Sequence, residues 1–458
     1  MDYPKSIDAL LSLVDHERSV PGPRQKAIVD LSRMELFLER LGNPHRRAAT
    51  VHVAGTKGKG STAAMCDAVL KAAGHRTGFN SSPHMHHFRE RIRLDSEPIS
   101  ETKFADLVEQ LWPYREAEGG TGDADAATLF EFITGMAFQC FAQEQVDFQT
   151  MEVGLGGRLD ATNVVQPNVA LITSVSKDHT AILGSTLAEI AGEKAGIIKQ
   201  GTTVVIAPQA PEVFDVIHQR CLQLNARPIQ VGQTGSDVTW RGGLSHAGGQ
   251  SLTVKGRLGE YHLETPLLGS FQQENAATAV AALEVLAEQG HHIPAEAVSQ
   301  GFARVSWPCR MEIVAKDPLV VVDGAHNPYS MDALLTSLPR YLPHRRLIVV
   351  AGFSRDKSVD QMVNRLCQEN PVVFATRSRH PRSLPPSAVG AHFEQEGVDA
   401  TVAPATDVAL NQAMAAAGPG DLVLVTGSLF VAAEARESIL GIQPERYPDL
   451  LPQDLRAG

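Results

Sequence analysis

Val51-His-Val-Ala-Gly-Thr-Lys-Gly-Lys-Gly-Ser-Thr62 reads as a short apolar strand, a turn with three glycines, and a helix opening on Ser61 and Thr62. Gly55, Gly58 and Gly60 are expected to take positive φ and curl the backbone N–H groups inward. With the positive end of the following helix, those groups form a cradle for an anion. Lys59 supplies a charge for the outer phosphates, and the Ser61 hydroxyl can ligate Mg²⁺. The usual phosphate loop has Gly-Lys-Ser/Thr, whereas Gly60 separates Lys59 from Ser61 here. The strand–turn–helix context still points to a nucleoside triphosphate.

The chain has 458 residues, enough for two or three domains, with 43% hydrophobic and 20% charged residues. Only 5% of residues are aromatic and the formal charge is −11. Both argue against a nucleic-acid partner, which needs stacking surfaces and positive charge. One basic cluster, Arg89-Glu-Arg-Ile-Arg93, runs against the global sign and could steer an anionic substrate. Five scattered cysteines without a C-x-x-C pair suggest neither a zinc site nor a disulfide framework. No secretory signal and no run of 18 apolar residues is visible, so a cytoplasmic protein without a membrane span is expected.

Residues 7–42 read as helical, and strands and helices then alternate. Strands are expected at 51–54, 77–80, 148–153, 169–173 and 203–206, with helices at 61–73, 102–116, 127–145 and 186–195. A Gly/Asp-rich loop lies at 119–125. Such alternation predicts a doubly wound, mostly parallel sheet of the P-loop type. Short alternating runs between 228 and 268 predict a small antiparallel patch appended to it. Helices follow at 271–289 and 294–302, then a linker at Val305-Ser-Trp-Pro-Cys309. Strands at 319–322, 347–350, 372–375 and 422–425 alternate with helices near 328–338, 357–369, 386–397 and 429–437. These predict a second, smaller Rossmann-like α/β domain. The division is therefore 1–304, the nucleotide-binding domain, and 305–458.

Four further stretches carry polar chemistry at strand or helix ends. Met151-Glu-Val-Gly-Leu-Gly-Gly157 delivers Glu152 to a strand's carboxyl end, where a carboxylate can hold Mg²⁺. Its three glycines, Gly154, Gly156 and Gly157, are expected to let the backbone approach a ligand. Asp178-His-Thr180 offers His179 as a second metal ligand, oriented by Asp178, although a lone histidine is as readily a packed or capping residue. Lys194, in Glu193-Lys-Ala-Gly-Ile-Ile-Lys199, taken alone reads as a surface lysine. Asp323-Gly-Ala-His-Asn-Pro328 presents Asp323 and His326 on a strand-to-helix turn, equally consistent with helix capping.

Together and in this order, these stretches resemble the folylpolyglutamate synthase / dihydrofolate synthase family of Mur-ligase-like, ATP-dependent amide ligases. The resemblance covers nearly the whole chain. It also includes Ser81-Ser-Pro-His84, Gln272–Asn275, Trp307-Pro-Cys-Arg310 and Val425-Thr-Gly-Ser428. It implies ATP, L-glutamate and a folate or dihydropteroate as small-molecule substrates, Mg²⁺ as cofactor, and a monomer. Residues 55–61 (Gly55, Thr56, Lys57, Gly58, Lys59, Gly60 and Ser61), with Asn275, Arg310 and Asp323, would bind ATP. Ser61, Ser82, Glu152 and His179 would bind Mg²⁺, together with Lys194 carried as a carbamate. Lys59, Lys194 and His326 are the implied catalytic residues. Thr128, Phe130 and Glu131 fall in the pterin region, and Ser428 lies near the nucleotide–glutamate junction.

The implied reaction phosphorylates the acceptor carboxylate, and the glutamate amine then displaces phosphate from the acyl phosphate. Three positions depart from the family pattern: Lys57, where many members have Asn, Lys177 before Asp178, and Cys309, where Gly is common. Two alternatives stand beside this reading. One is a Mur-like ligase with a non-folate carboxylate acceptor. The other is a nucleotide switch without ligase chemistry, against which the Lys194 and Asp323–Pro328 motifs argue.

Overall fold

The computed structural model describes residues 1–15, 31–115, 126–246 and 248–447. The first lobe is built on one eleven-stranded sheet. Its strands in chain order are β1 (Ala49–Ala54), β2 (Thr77–Asn80), β3 (Ile92–Leu94), β4 (Glu97–Pro98), β5 (Phe148–Glu152) and β6 (Val169–Ile172). They continue with β7 (Thr203–Ile206), β8 (Arg227–Gly232), β9 (Val238–His246), β10 (Gly249–Lys255) and β11 (Glu260–Thr265). The order across the sheet is β11-β10-β9-β8-β7-β6-β1-β5-β2-β3-β4. The middle strands are parallel and buried on both faces; β6 and β7 read as apolar runs, whereas β2 (Thr-Gly-Phe-Asn) and β5 (Phe-Gln-Thr-Met-Glu) bury polar side chains as well.

The position of β1 decides where the site lies. It sits between β5 and β6, with Val53 opposite Glu152 and Ala54 opposite Ile172. The loops leaving all three strands therefore emerge side by side at the carboxyl edge, where the winding direction reverses. The Lys59–Ala72 helix covers one face with the helices Ser270–Glu288 and Ala295–Arg304. The Leu129–Gln143 helix and the pair Leu187–Ala195 and Pro211–Gln223 fill two separate cores.

The second lobe is a six-stranded sheet of β12 (Glu312–Lys316), β13 (Leu319–Val322), β14 (Leu347–Ala351), β15 (Val372–Ala375), β16 (Ala400–Val402) and β17 (Leu422–Thr426). Its order is β12-β13-β17-β14-β15-β16, parallel except for β12. The loops after β13, β17 and β14 are again neighbours. They face the loops of the first lobe.

The expected α/β architecture is present, with differences in detail. In place of a continuous helix over 7–42 there are helices at Tyr3–Leu11 and Ser32–Arg40. The first ends where Ser12 Oγ donates back to Ala9 O at 2.6 Å. Part of the expected helix, 16–30, and the 119–125 loop lie outside the described residues. The antiparallel strands β9–β11 continue the main sheet as its edge, and β3–β4 make a second antiparallel edge that the pattern did not announce. The Pro211–Gln223 and Thr406–Ala416 helices and strands β12 and β16 were also unannounced. Among the described residues, no helix is long and apolar enough to cross a membrane.

One helix crossing is tight enough to test. A Cβ built on Gly301 would lie 2.5 Å from Val69 Cα and 2.7 Å from Val69 N, both backbone atoms that cannot swing aside. Gly301→Ala should destabilise the first lobe by about 1–3 kcal/mol through overpacking, read as a lower midpoint in chemical denaturation. An unchanged midpoint would mean the Ala295–Arg304 helix is free to shift.

Candidate active site

One cavity of about 1920 Å³ lies between the two sets of loops, and every candidate catalytic, nucleotide, metal and substrate residue named from the sequence lines it, whereas Gly157, Arg89, Arg93 and Cys309 do not. Its floor is the 55–61 turn. Gly55 and Gly58 have φ of +149° and +87°, the conformations that favour glycine. Gly60 does not: it lies inside the helix, and its need is steric, since a Cβ there would meet Trp307 Cζ2 at 2.7 Å. The helix begins at Lys59 rather than Ser61. Its first internal bond runs from Thr62 N to Gly58 O at 2.9 Å, so the N–H groups of 59–61 belong to the unsatisfied first turn. The N–H groups of Thr56 and Lys57 are committed, donating to Ser174 O at 2.8 and 3.2 Å. The anion cradle is therefore the helix start, with Lys59 beside it. Asn275 covers the turn closely enough that a Cβ on Gly58 would lie 2.2 Å from Asn275 Oδ1. Gln272 Nε2 donates to Ser61 Oγ at 3.3 Å and Asn275 Nδ2 to Gln272 Oε1 at 2.9 Å, fixing the hydroxyl at the loop's end.

Glu152 is the last residue of β5 and is buried. Burial pushes its carboxyl up, while Lys59 and Arg310 oppose. Its Oε2 accepts a long hydrogen bond from Ser82 N, 3.4 Å. An anionic oxygen so weakly served suits a hard cation. Among the described residues, no three His, Cys, Asp or Glu side chains gather as a ready cage. Any Mg²⁺ here must draw on hydroxyls, water and phosphate oxygens, as this ion commonly does. The three neighbouring glycines mainly serve packing. Cβ atoms at Gly154 and Gly157 would strike Phe130 and Glu193 O at 2.6 and 2.8 Å, and Gly156 has a φ of +71°.

Lys194 is buried, not at the surface as its local pattern suggested. Its Nζ donates to Gly55 O at 2.9 Å. Burial, helped by the charge of Lys59, pulls it down to about 7, so a large fraction is neutral amine near neutral pH. His179, exposed toward the cavity with φ +49°, is pulled down to about 4 by burial and Lys357, leaving a neutral imidazole.

Asp178 does more than orient His179, from which its carboxylate stands 3.8 Å away. It accepts from Lys57 Nζ at 3.1 Å, Lys357 Nζ at 2.8 Å and Asn327 Nδ2 at 2.9 Å. Burial pushes its carboxyl up, yet Lys57 and Lys357 together hold it well below the usual range. Lys357 was not singled out from the sequence. Its one signal is its place in Phe353-Ser-Arg-Asp-Lys357, polar residues directly after an apolar strand.

The linker and the second lobe close the cavity. Trp307 stacks near Phe79, ring centroids 5.4 Å apart, with the Arg93 guanidinium 5.5 Å from its ring. Cys309 and Met311 take φ of +58° and +45° on either side of Arg310. Asp323 accepts from Met311 N and Ala325 N, both 2.8 Å, and so holds this turn as well as facing the cavity. Asn327, not His326, caps the following helix, accepting from Ser330 N at 2.9 Å. Ser428 caps the Leu429–Leu440 helix. Thr128 and Glu131 form a capping box at the Leu129–Gln143 helix, and Arg33, unnoticed in the sequence, grips Glu131 with two bonds of 2.8 and 2.9 Å. These residues line the cavity, but their nearest partners are the protein itself.

A cleft of this kind, with a phosphate cradle on one lobe and a polar turn from another, defines an ATP-dependent ligase of the Mur type. Comparison with known proteins agrees. Residues 53–283 match the Mur ligase middle domain, and residues 309–429 match the Mur ligase glutamate ligase domain. A Bacillus subtilis dihydrofolate synthase/folylpolyglutamate synthase is 35% identical, with 89% of this chain and 94% of the relative covered. The Mycobacterium tuberculosis folylpolyglutamate synthase solved with ADP and AMPPCP superposes with a TM-score of 0.87 at 33% identity, covering 97% of this chain and 100% of that one. Escherichia coli FolC solved in complex with DHPP and ADP gives 0.83 at 29%, covering 96% and 98%. The chain belongs to the folylpolyglutamate synthase/dihydrofolate synthase family.

The cradle geometry makes a sharp demand on position 58. Gly58→Ala should weaken binding of a non-hydrolysable ATP analogue by about fivefold or more, since the left-handed conformation alone costs roughly 1 kcal/mol or more with a Cβ. Calorimetric titration returning the parent affinity would show that nucleotide does not use this turn.

Proposed function

We propose that the chain joins L-glutamate to the carboxylate of a pterin–aminobenzoyl acceptor, dihydropteroate or a folate, using ATP and an acyl-phosphate intermediate. The observation that carries this reading is the single cavity holding the phosphate cradle, the Glu152–Lys194 floor and the Asp323–Pro328 turn at once. The last helix of the first lobe ends at Arg304, Val305 and Trp307 still pack on that lobe, and Cys309 begins the second. Five free cysteines suit a reducing cytoplasm, and the site is complete within one chain, which suits a monomer.

ATP lies with its outer phosphates at the 59–61 helix start, beside Lys59. Asn275, Arg310 and Asp323 reach it from around the turn. The acceptor's pterin end faces Phe130, with Thr128 and Glu131 behind it. An acceptor carboxylate oxygen attacks the γ-phosphorus as the bond to the β–γ bridging oxygen breaks, and ADP departs. The glutamate amine then attacks the acyl carbonyl carbon, phosphate leaves, and the amine sheds a proton. His326 and Ser428, at the second lobe's loop ends, flank this junction. Closure of the lobes keeps water from the acyl phosphate. Ser61, Ser82, Glu152 and His179 would hold Mg²⁺, with a Lys194 carbamate supplying an anionic oxygen. The ion's contribution when bound is to offset charge on the phosphoryl oxygens.

An acceptor panel separates the readings. Phosphate release should require glutamate together with either dihydropteroate or a tetrahydrofolate. Release with neither present would support a bare nucleotide switch, and release only with a non-pterin carboxylate would support a different acceptor.

Lys194 sets a pH dependence. Its neutral amine adds to CO₂ with loss of a proton, and the neutral fraction falls about tenfold per unit below pH 7. Bicarbonate should therefore restore turnover to CO₂-stripped protein at pH 8 and much less at pH 6. A carbamate carbon from ¹³C-bicarbonate should appear in parallel. Turnover indifferent to bicarbonate, with no such carbon, would remove the carbamate from the scheme.

A further inference from the structure

The ion cluster at Asp178 crosses the cleft. Lys57 and Asp178 belong to loops after β1 and β6 of the first lobe. His326, Asn327 and Lys357 belong to loops after β13 and β14 of the second. One Asp178 oxygen, Oδ2, takes both Lys57 Nζ at 3.1 Å and Asn327 Nδ2 at 2.9 Å, and Oδ1 takes Lys357 Nζ at 2.8 Å. Lys57 Nζ also lies 2.8 Å from His326 Nε2. The direction of that last bond follows from the ring's other nitrogen. His326 Nδ1 is 2.7 Å from Gly324 O, and a carbonyl only accepts, so Nδ1 carries the proton. Nε2 is then a lone pair, and the Lys57 ammonium donates to it. Lys57 is thus held by one acceptor from each lobe, and its own backbone N–H and that of Thr56 go to Ser174 O, not to the cradle.

We propose that Lys57 is a positioning residue that fastens the phosphate turn to the second lobe through Asp178 and His326, and so sets the pose of the 323–328 turn for the reaction. It is not itself a phosphate ligand. Its ammonium is spent on Asp178 and His326, whereas Lys59 stands free of that network at the helix start. Lys357 completes the fastening from the other side. With a single carboxylate between two ammonium groups, removal of either lysine leaves the other still paired, so each single variant is expected to fold.

The test rests on the ligase reading above but separates from it, because nucleotide affinity and lobe separation are read without any acceptor. Lys57→Asn keeps a polar side chain and removes the charge. Lys357→Met removes the partner bond. Both should bind a non-hydrolysable ATP analogue with Mg²⁺ within about twofold of the parent protein. In the parent the analogue should shorten a spin-label distance between exposed positions on the two lobes, such as 222 and 408, and both variants should lose that shortening; a parent distance that does not change overturns the proposal. In the parent's own glutamate-dependent assay, kcat should fall by an order of magnitude or more. The double variant, which leaves buried Asp178 with no lysine, should fall further than either single one. Thermal melting confirms that each variant is folded. If analogue affinity drops in step with kcat for Lys57→Asn, the lysine is a phosphate contact and the proposal fails. It fails equally if the spin-label distance shortens as in the parent. If the parent protein shows no glutamate-dependent turnover with any pterin acceptor, that loss falls on the acceptor reading, and the affinity and distance measurements still decide the role of Lys57.

Discussion

Everything in the site depends on one arrangement: two sheets that present the carboxyl ends of their central strands to each other. In the first lobe, β1 lies between β5 and β6, so the 55–61 turn, Glu152 and the 173–180 loop are neighbours by sheet register alone. In the second, β13 and β14 flank β17, which brings together residues 323–328, 352–357 and 427–428. Neither set is a ligase alone. The first holds an anion cradle and a buried carboxylate; the second holds groups that complete the cleft. Phosphoryl transfer to a carboxylate asks mainly for positioning and charge balance, which is what two rigid edges can provide.

Charge within the cleft follows from burial rather than from composition. The chain is acidic overall, at −11, yet Lys57, Lys59, Lys194, Lys357 and Arg310 all line one cavity. Two of these lysines respond by giving up part of their affinity for protons: Lys57 falls to about 8 and Lys194 to about 7. The difference between them is their partners. Lys57 faces the Asp178 carboxylate, which pulls against burial, whereas Lys194 faces the carbonyl of Gly55. Both keep a proton less firmly than an exposed lysine, and Lys57 gains more from its carboxylate partner than Lys194 does from a carbonyl. The same residue type is tuned differently by its surroundings.

Much of this was legible in the sequence, and the reasons are specific. Buried parallel strands rich in apolar residues, β6, β7, β13, β14, β15 and β17, are readable to within a residue. Edge strands β3, β4, β12 and β16 are short and partly exposed, and carry no such run. Motif residues at strand ends were found because polar groups after an apolar run stand out. What could not be read was any property set by a distant partner. The burial of Lys194 depends on Gly55 O, 139 positions away, and its own segment looks like a helix surface. Gly60 looked like a third hinge of the turn, but its constraint is Trp307, far along the chain. Thr128 and Glu131 show the opposite case: a local Thr-x-x-Glu capping box explains their spacing fully, so the pattern alone says little about a ligand.

The linker ties the two edges together. Trp307 belongs to the first lobe: it packs on Phe79 and against Gly60. Cys309 and Arg310 belong to the second. Gly324 N donates to Cys309 O at 2.9 Å, Met311 N to Asp323 at 2.8 Å, and Cys309 N to Glu312 at 2.8 Å. Two consecutive anchors therefore lie on different bodies with only Pro308 between them. Proline fixes its own φ, so the join has little freedom there. The left-handed conformations of Cys309 and Met311 are each sparsely populated for a side-chain-bearing residue, and they persist because Asp323 and Glu312 hold the adjoining N–H groups. Arg310 sits between them and must travel with the second lobe. Arg310 is thus fixed to the same turn as Asp323, and the change from first-lobe to second-lobe contacts is made within the three residues from Trp307 to Cys309. The linker is as much a part of the site as the turn it overlies, because it converts the relative position of two sheets into the position of one guanidinium.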